Sequence, residues 1–305
     1  MNEANPAELV HYVAAGAFVL AFIFGAVANK TDFCTMGAVS DWVNMGDFNR
    51  MRMWLLAIAV ALLASSALQL AGIVDLGKSI YPGPRFTWLS YLVGGFVFGV
   101  GMTLGSGCGS KTLIRIGGGN LKSAIVYVFL AIAAYMTLRG LLGAFRVDVL
   151  EKATLTLSTG QDLPSLVSSV FGVKPQLLKE ILPVLLGAAL LAWIYSSRDF
   201  RAHWNYTLGG VVTGLVVAGG WYVSGHLGYL AEDPNTLQEA FVGTNTGRME
   251  SFSFVAPLAY TLEYLMFWTD KSKIITYGIA SAAGVIAGSA AYAIATRKFR
   301  WEGFR

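Results

Sequence analysis

The chain has 305 residues, 55% hydrophobic and only 13% charged, with a mean hydropathy of +0.58. A soluble domain carries about 25% charged residues, so this composition excludes one and marks a protein that sits in a membrane. The net charge of +4 is spread over short loops, which argues against a nucleic-acid surface, and two cysteines 74 residues apart, with no CxxC pair, make neither a disulfide framework nor a zinc site.

About 20 apolar residues are needed to cross the hydrocarbon core. In chain order, the runs 9–29, 53–74, 86–110, 202–231 and 274–296 meet that length, and the shorter runs 123–138 and 181–197 are read as spans too. Seven full spans result. The run 251–262 is too short to cross alone. The first run stays in the membrane, because Glu3 and Glu8 precede it where a signal peptide would carry cations.

The first cysteine lies just after span one, in Asp32-Phe33-Cys34-Thr35-Met36-Gly37-Ala38, followed by a helix-like stretch 38–45 that Thr31 or Asp32 can cap. The second lies in Gly105-Ser106-Gly107-Cys108-Gly109-Ser110, at the opposite end of another span, with Lys111 and Arg115 just beyond. Gly105, Gly107 and Gly109 permit positive φ, so this turn can cradle an anion in exposed N–H groups, helped by a short helix starting at Lys111. Irregular backbone at membrane depth survives only where it is buried or lines a cavity. The plainer readings are that a lone cysteine is a small core hydrophobe, that Gly94, Gly95, Gly99 and Gly101 are close-packing faces, and that Lys111 and Arg115 set topology. His11, His203 and His226 share no metal-site spacing, and Glu263 reads as a helix-end carboxylate at the interface.

Cations mark the cytoplasmic side of a bacterial-type membrane. Lys111, Arg115 and Lys122, then Arg198 and Arg201, then Arg297, Lys298, Arg300 and Arg305, read as inside; the loop 232–250, with Glu232, Asp233, Glu239 and Glu250 against Arg248, reads as outside. One net crossing then separates that loop from the tail, so 251–268, which contains Pro257, is expected to be re-entrant or broken and 274–296 to cross. The polar interruption 146–179, with Gly160, Pro164 and Pro175, divides the chain into a membrane half 1–145, a connecting loop with at most a surface helix, and a second half 180–305. A shift of 219 residues places Phe33-Cys34-Thr35 on Phe252-Ser253-Phe254 and the span 53–74 on 272–293. Transporters are often built from such repeats, with interrupted segments at the substrate site. Continued, the repeat predicts a further Gly-rich segment carrying a cysteine at about position 327, past the last residue, and a chain without it is expected to be incomplete and inactive.

The two cysteine motifs, their separation and Trp301-Glu302-Gly303-Phe304-Arg305 resemble the YeeE/YedE sulfur-transport family of bacterial inner membranes. The resemblance covers essentially the whole chain. It implies an all-α polytopic membrane protein of two pseudo-symmetric halves, with short re-entrant helices meeting at the middle. It further implies uptake of thiosulfate or a related sulfur compound, a transporter in place of an enzyme, no cofactor, and delivery to a small cytoplasmic sulfur-carrier protein. Family members carry a third cysteine beyond the point where this chain ends, so one station of the route would be missing here. Under this reading Cys34, Cys108, Phe33, Gly37, Gly105, Gly107, Gly109 and Lys111 form the substrate path: thiols hold and release an oxyanion while amides and helix N-termini supply the field. The rivals are a membrane thiol oxidoreductase and a non-transporting membrane subunit with inert cysteines. The first is weakened by the lack of a CxxC pair or haem ligand set.

Overall fold

A computed structural model describes residues 6–172, 174–234 and 236–304; Glu3 and Arg305 lie outside them. The first helix, α1 (Pro6–Thr31), buries a stripe of small residues at helical spacing, Val13, Ala17, Ala21, Phe24, Gly25 and Ala28. After a three-residue break the short α2 (Thr35–Met45) ends at Gly46, whose φ of 67° closes a left-handed cap, and α3 (Asn49–Leu70) follows. A 3-10 turn, Leu76–Lys78, and strand β1 (Arg85–Phe86) lead to α4 (Trp88–Leu104), the short α5 (Gly109–Gly117) and α6 (Leu121–Arg139).

After α6 come the short α7 (Leu141–Phe145) and then the polar connection, with a π-helical turn, strand β2 (Leu155–Thr156) pairing antiparallel with β1, and α8 (Leu163–Phe171), capped by Asp162. Then come α9 (Pro175–Tyr195), α10 (Arg198–Ala202) and α11 (Trp204–Tyr222), which runs on through a π-helical turn, Val223–Leu227. A two-stranded pair, β3 (Tyr229–Leu230) and β4 (Ala240–Phe241), precedes α12 (Ala256–Met266) and α13 (Tyr277–Ala295). Seven stretches are long and apolar enough to cross a membrane: α1 with α2, α3, α4 with α5, α6, α9, α11 with its π turn, and α13. The protein is therefore an all-α, multi-pass membrane protein whose strands are two-residue clasps.

Two helix pairs make the core, α1 against α13 and α11 against α3. Both use glycine to bring backbones together. A Cβ on Gly284 of α13 would meet the Phe18 carbonyl of α1 at 2.5 Å, and one on Gly214 of α11 would meet the Ala57 carbonyl of α3 at 2.7 Å. Without a hydrophobic drive between lipid-bathed helices, such close approach supplies the packing energy. Because α1 and α11 run in opposite senses, and α3 and α13 likewise, the pairing has the form that an inverted repeat produces.

The chain direction separates two poles. Lys30, Arg50, Lys111 and Arg115 gather with the start of α11 at one pole, where the tail joins them through Asn120–Glu302 and Arg300–Gly118 contacts. The loop 228–250 and the start of α13 lie at the other. The segment 251–255 enters from that second pole as far as Gly109, and α12 returns toward it, since Glu263 meets both Arg139 at the end of α6 and Lys273 before α13. This is the expected re-entrant piece.

Two expectations are corrected. Gly94, Gly95, Gly99 and Gly101 do not pack: α4 has no buried residue, and a Cβ at any of the four would meet nothing within 4 Å. Glu263 is 6% exposed and holds two cations, at 3.2 Å (Arg139) and 2.6 Å (Lys273), so it is a buried ion-pair centre and not an interface carboxylate. The connecting segment 146–179 carries one short helix, α8, together with a π turn and strand β2.

Candidate functional site

The breaks before α2 and α5 share one local design. In each, the residue two before the cysteine takes a left-handed conformation, Asp32 with φ 53° and Ser106 with φ 56°. The next amide reaches back five residues, Phe33 to the Ala28 carbonyl at 3.1 Å and Gly107 to Met102 at 2.9 Å, closing the helix before it. The cysteine is then extended and becomes the N-cap of the short helix. A non-glycine residue at positive φ costs about 1–2 kcal/mol, so the surrounding fold holds both turns in place.

Chain direction corrects one more expectation. Both α1 and α4 run toward the basic pole, so the cysteines do not sit at opposite ends of the membrane. The two free thiols lie near each other, each capping a short helix where the N-termini of α2 and α5 approach one another. Cys34 caps α2 by accepting from the Gly37 amide at 3.4 Å, a bond that neither Thr31 nor Asp32 makes. Cys108 Sγ lies 3.2 Å from Ser110 Oγ. Helix α5 starts at Gly109, not Lys111, and none of the three glycines takes a positive φ; that role falls to Ser106. What two of them provide is proximity. A Cβ on Gly109 would stand 2.5 Å from the Phe254 carbonyl, and one on Gly107 would stand 3.1 Å from the Lys111 side chain.

Around the thiols the remaining residues sort by side. Phe33 is 7% exposed and stacks edge-on to Phe24, which lies flat on Phe254; with Phe252 they form an aromatic floor. Facing the basic pole is a cavity of about 790 Å³ lined by Cys34, Gly37, Lys30, Arg50, Lys111 and Arg115, among others. Lys111 bonds Asp32 at 3.1 Å, and Arg50 bonds both Asp41 at 3.0 Å and the Asp32 carbonyl at 2.8 Å. A Cβ on Gly37 would reach within 2.6 Å of the Arg50 guanidinium, so only glycine lets Arg50 lie across the start of α2. Cys108, Gly105, Gly107 and Gly109 line a second, apolar cavity between α4 and α6. Helix α5 is anchored by a relay, Asn29 to Ser289 Oγ at 2.7 Å and Ser289 to the Ile114 carbonyl at 2.6 Å.

The structure thus assembles Cys34, Cys108, Gly37, Gly109, Lys111 and Phe33 in one place, with Gly105 and Gly107 in the turn beneath. Arg50 was not legible as a site residue; its nine-residue spacing from Asp41, across a short helix, is the only trace in the sequence. Phe24 and Phe254 were invisible among many apolar neighbours. Among the described residues no group of His, Cys, Asp or Glu is placed to hold a metal ion.

The comparisons agree with this architecture. The chain is 25% identical over 292 residues to a thiosulfate transporter, TsuA, of Escherichia coli, covering 91% of this chain and 74% of that protein. It is 26% identical over 246 residues to the TsuA of Spirochaeta thermophila, covering 71% and 70%. The family described as Sulphur transport matches residues 30–305. Seven membrane-crossing stretches, two matched cysteine turns and that match over nearly the whole chain make this protein a member of the sulphur-transport family, a family of transporters and not of enzymes.

Proposed function

We propose that the protein takes up thiosulfate, or a closely related sulfur anion, across a bacterial inner membrane by way of the paired thiols of Cys34 and Cys108. The observation that carries the reading is the nearness of two cysteine-capped helix N-termini beneath a cavity lined with four cations. A divalent oxyanion needs donors wherever water is stripped away. Neutral thiols donate weakly and are polarizable, helix N-termini add a partial positive charge, and Lys111 and Arg50 draw the ion onward to the basic pole. Each contact is weak enough to release what it holds, which conduction requires. On this reading 1–145 and 180–305 form two halves around the route, with 146–179 between them, and the basic pole is cytoplasmic, where a small sulfur-carrier protein would collect the product.

The test is uptake of labelled thiosulfate by cells that lack other uptake routes, expressing the protein from its natural gene. Uptake that unlabelled thiosulfate competes away and that sulfate leaves untouched is the expected result. An inert protein, or thiol-dependent electron transfer without uptake, would favour the oxidoreductase or the silent subunit.

A further inference from the structure

On the far side of the thiols lies a separate cavity of about 250 Å³, at the pole opposite Lys30, Arg50, Lys111 and Arg115. Its walls come from the loop before β1 (Tyr81), α6 (Leu138), the segment 245–253, α12 (Tyr260) and α13 (Tyr277, Ser281). The floor is continuous with the thiol site. Ser253 lines the cavity, the following Phe254 carbonyl abuts Gly109, and Ala256 borders both this cavity and the one that holds Cys108. Seven of its fourteen lining residues carry a hydroxyl, of which Ser251 and Ser281 already donate to the Val217 and Gly278 carbonyls. Tyr277 is 1% exposed, and its hydroxyl, beside that of Ser251, has no partner at bonding geometry among the described residues. An unpartnered buried donor is costly unless something fills the space before it.

One group contradicts an anion site, and that is Glu250. Its backbone is pinned by Ser224, and its carboxylate accepts from the Asn245 amide at 3.3 Å. No ion pair reaches it among the described residues, and no lysine or arginine lines the cavity. The groups facing it are the hydroxyls of Tyr81, Tyr260 and Tyr277; behind Tyr260, Arg139 and Lys273 are both committed to Glu263, and Arg248 next in the loop is exposed. Ionised, Glu250 would repel a second negative charge; protonated, it becomes one more donor.

We propose that this cavity is the outer station of the transport route, holding a small sulfur oxyanion on the hydroxyls of Tyr81, Tyr260, Tyr277 and Ser253, and that it fills only when Glu250 carries a proton taken from the external solution. The inference rests on the uptake reading above. Burial, with no cation to offset it, pushes the Glu250 carboxyl up to about 7, so protonation falls within the range a bacterium meets.

The experiment is labelled thiosulfate uptake against external pH by the wild type, Glu250→Gln and Glu250→Asp, with melting of each purified protein as the folding control. Wild-type uptake should rise about tenfold from about pH 8 to about pH 6, following the protonated fraction of a group with that pKa. Glu250→Gln should stay near the acid value throughout, and Glu250→Asp should keep a pH dependence. A Glu250→Gln protein with the wild-type profile, or with no uptake at any pH despite normal melting, overturns the outer station while leaving the thiol route intact. Folded wild type without uptake at any pH overturns the route and the station together.

Discussion

Replacing Gly109 with alanine tests whether the meeting of α5 with the broken segment matters, without touching a thiol. The added Cβ would stand 2.5 Å from the Phe254 carbonyl oxygen and 3.4 Å from a Val255 methyl. The first contact is with backbone, which cannot swing aside, so α5 and the segment must part by about 0.9 Å to reach ordinary contact, and overpacking of this kind costs about 1–3 kcal/mol. At about 2–4 °C per kcal/mol, melting in detergent should drop by about 2–12 °C. Uptake should suffer more, because Cys108 is the cap of the displaced helix and a misplacement near 1 Å can cost about a hundredfold in a positioned site. Gly94→Ala is the control, since a Cβ there meets nothing within 4 Å. Fluorescence-detected melting and labelled uptake on the same preparations decide it. Equal uptake and melting for Gly109→Ala, Gly94→Ala and wild type would refute the close junction.

Serine at Cys34 or Cys108 keeps a donor but not the polarizable sulfur, so uptake should fall with melting almost unchanged. Neutralising Lys111 as Lys111→Met should raise the KM for uptake and weaken its dependence on salt, because the residue faces the basic cavity beside Cys34; an unchanged KM would make it a topology determinant only. Removing both partners of Glu263, as Arg139→Ala with Lys273→Ala, should destabilise by more than either alone, since a 6%-exposed carboxylate is then left unpaired. For Glu250 the sign follows from a carboxyl raised from 4.5 to about 7. The folded state binds the proton more tightly, so stability contributed by this group is greatest below about 4.5, falls as pH rises, and is fully lost above about 7. Glu250→Gln should therefore raise the melting temperature at alkaline pH and leave it nearly unchanged near pH 4 to 5.

Much of this was legible in the sequence because the bilayer imposes length and apolarity on every crossing. The seven spans and the re-entrant nature of 251–268 followed from that constraint, and the two cysteine breaks stood out as polar, glycine-containing interruptions. What the sequence hid depends on direction and depth. That Cys34 and Cys108 come together needs α1 and α4 to run the same way, which alternation of the first and third spans implies, and the short helices α2 and α5 to fold inward, which no local pattern records. Gly94 to Gly101 looked like a packing face because glycine spacing is the same whether a partner is present or not. Glu263 looked peripheral because its cations come from 124 residues before it and ten after it. Left-handed Asp32 and Ser106 break the habit of placing glycine where φ is positive, so the turn was assigned to the neighbouring glycines instead.

The most direct test of the central claim is initial-rate uptake of labelled thiosulfate by matched amounts of folded wild type, Cys34→Ala and Cys108→Ala, each expressed from the natural gene in cells without another uptake route. The account predicts competable uptake by the wild type and its loss in both variants, with Cys108→Ala the more severe. Wild-type rates in both variants at normal expression and melting would contradict a route that passes through the paired thiols.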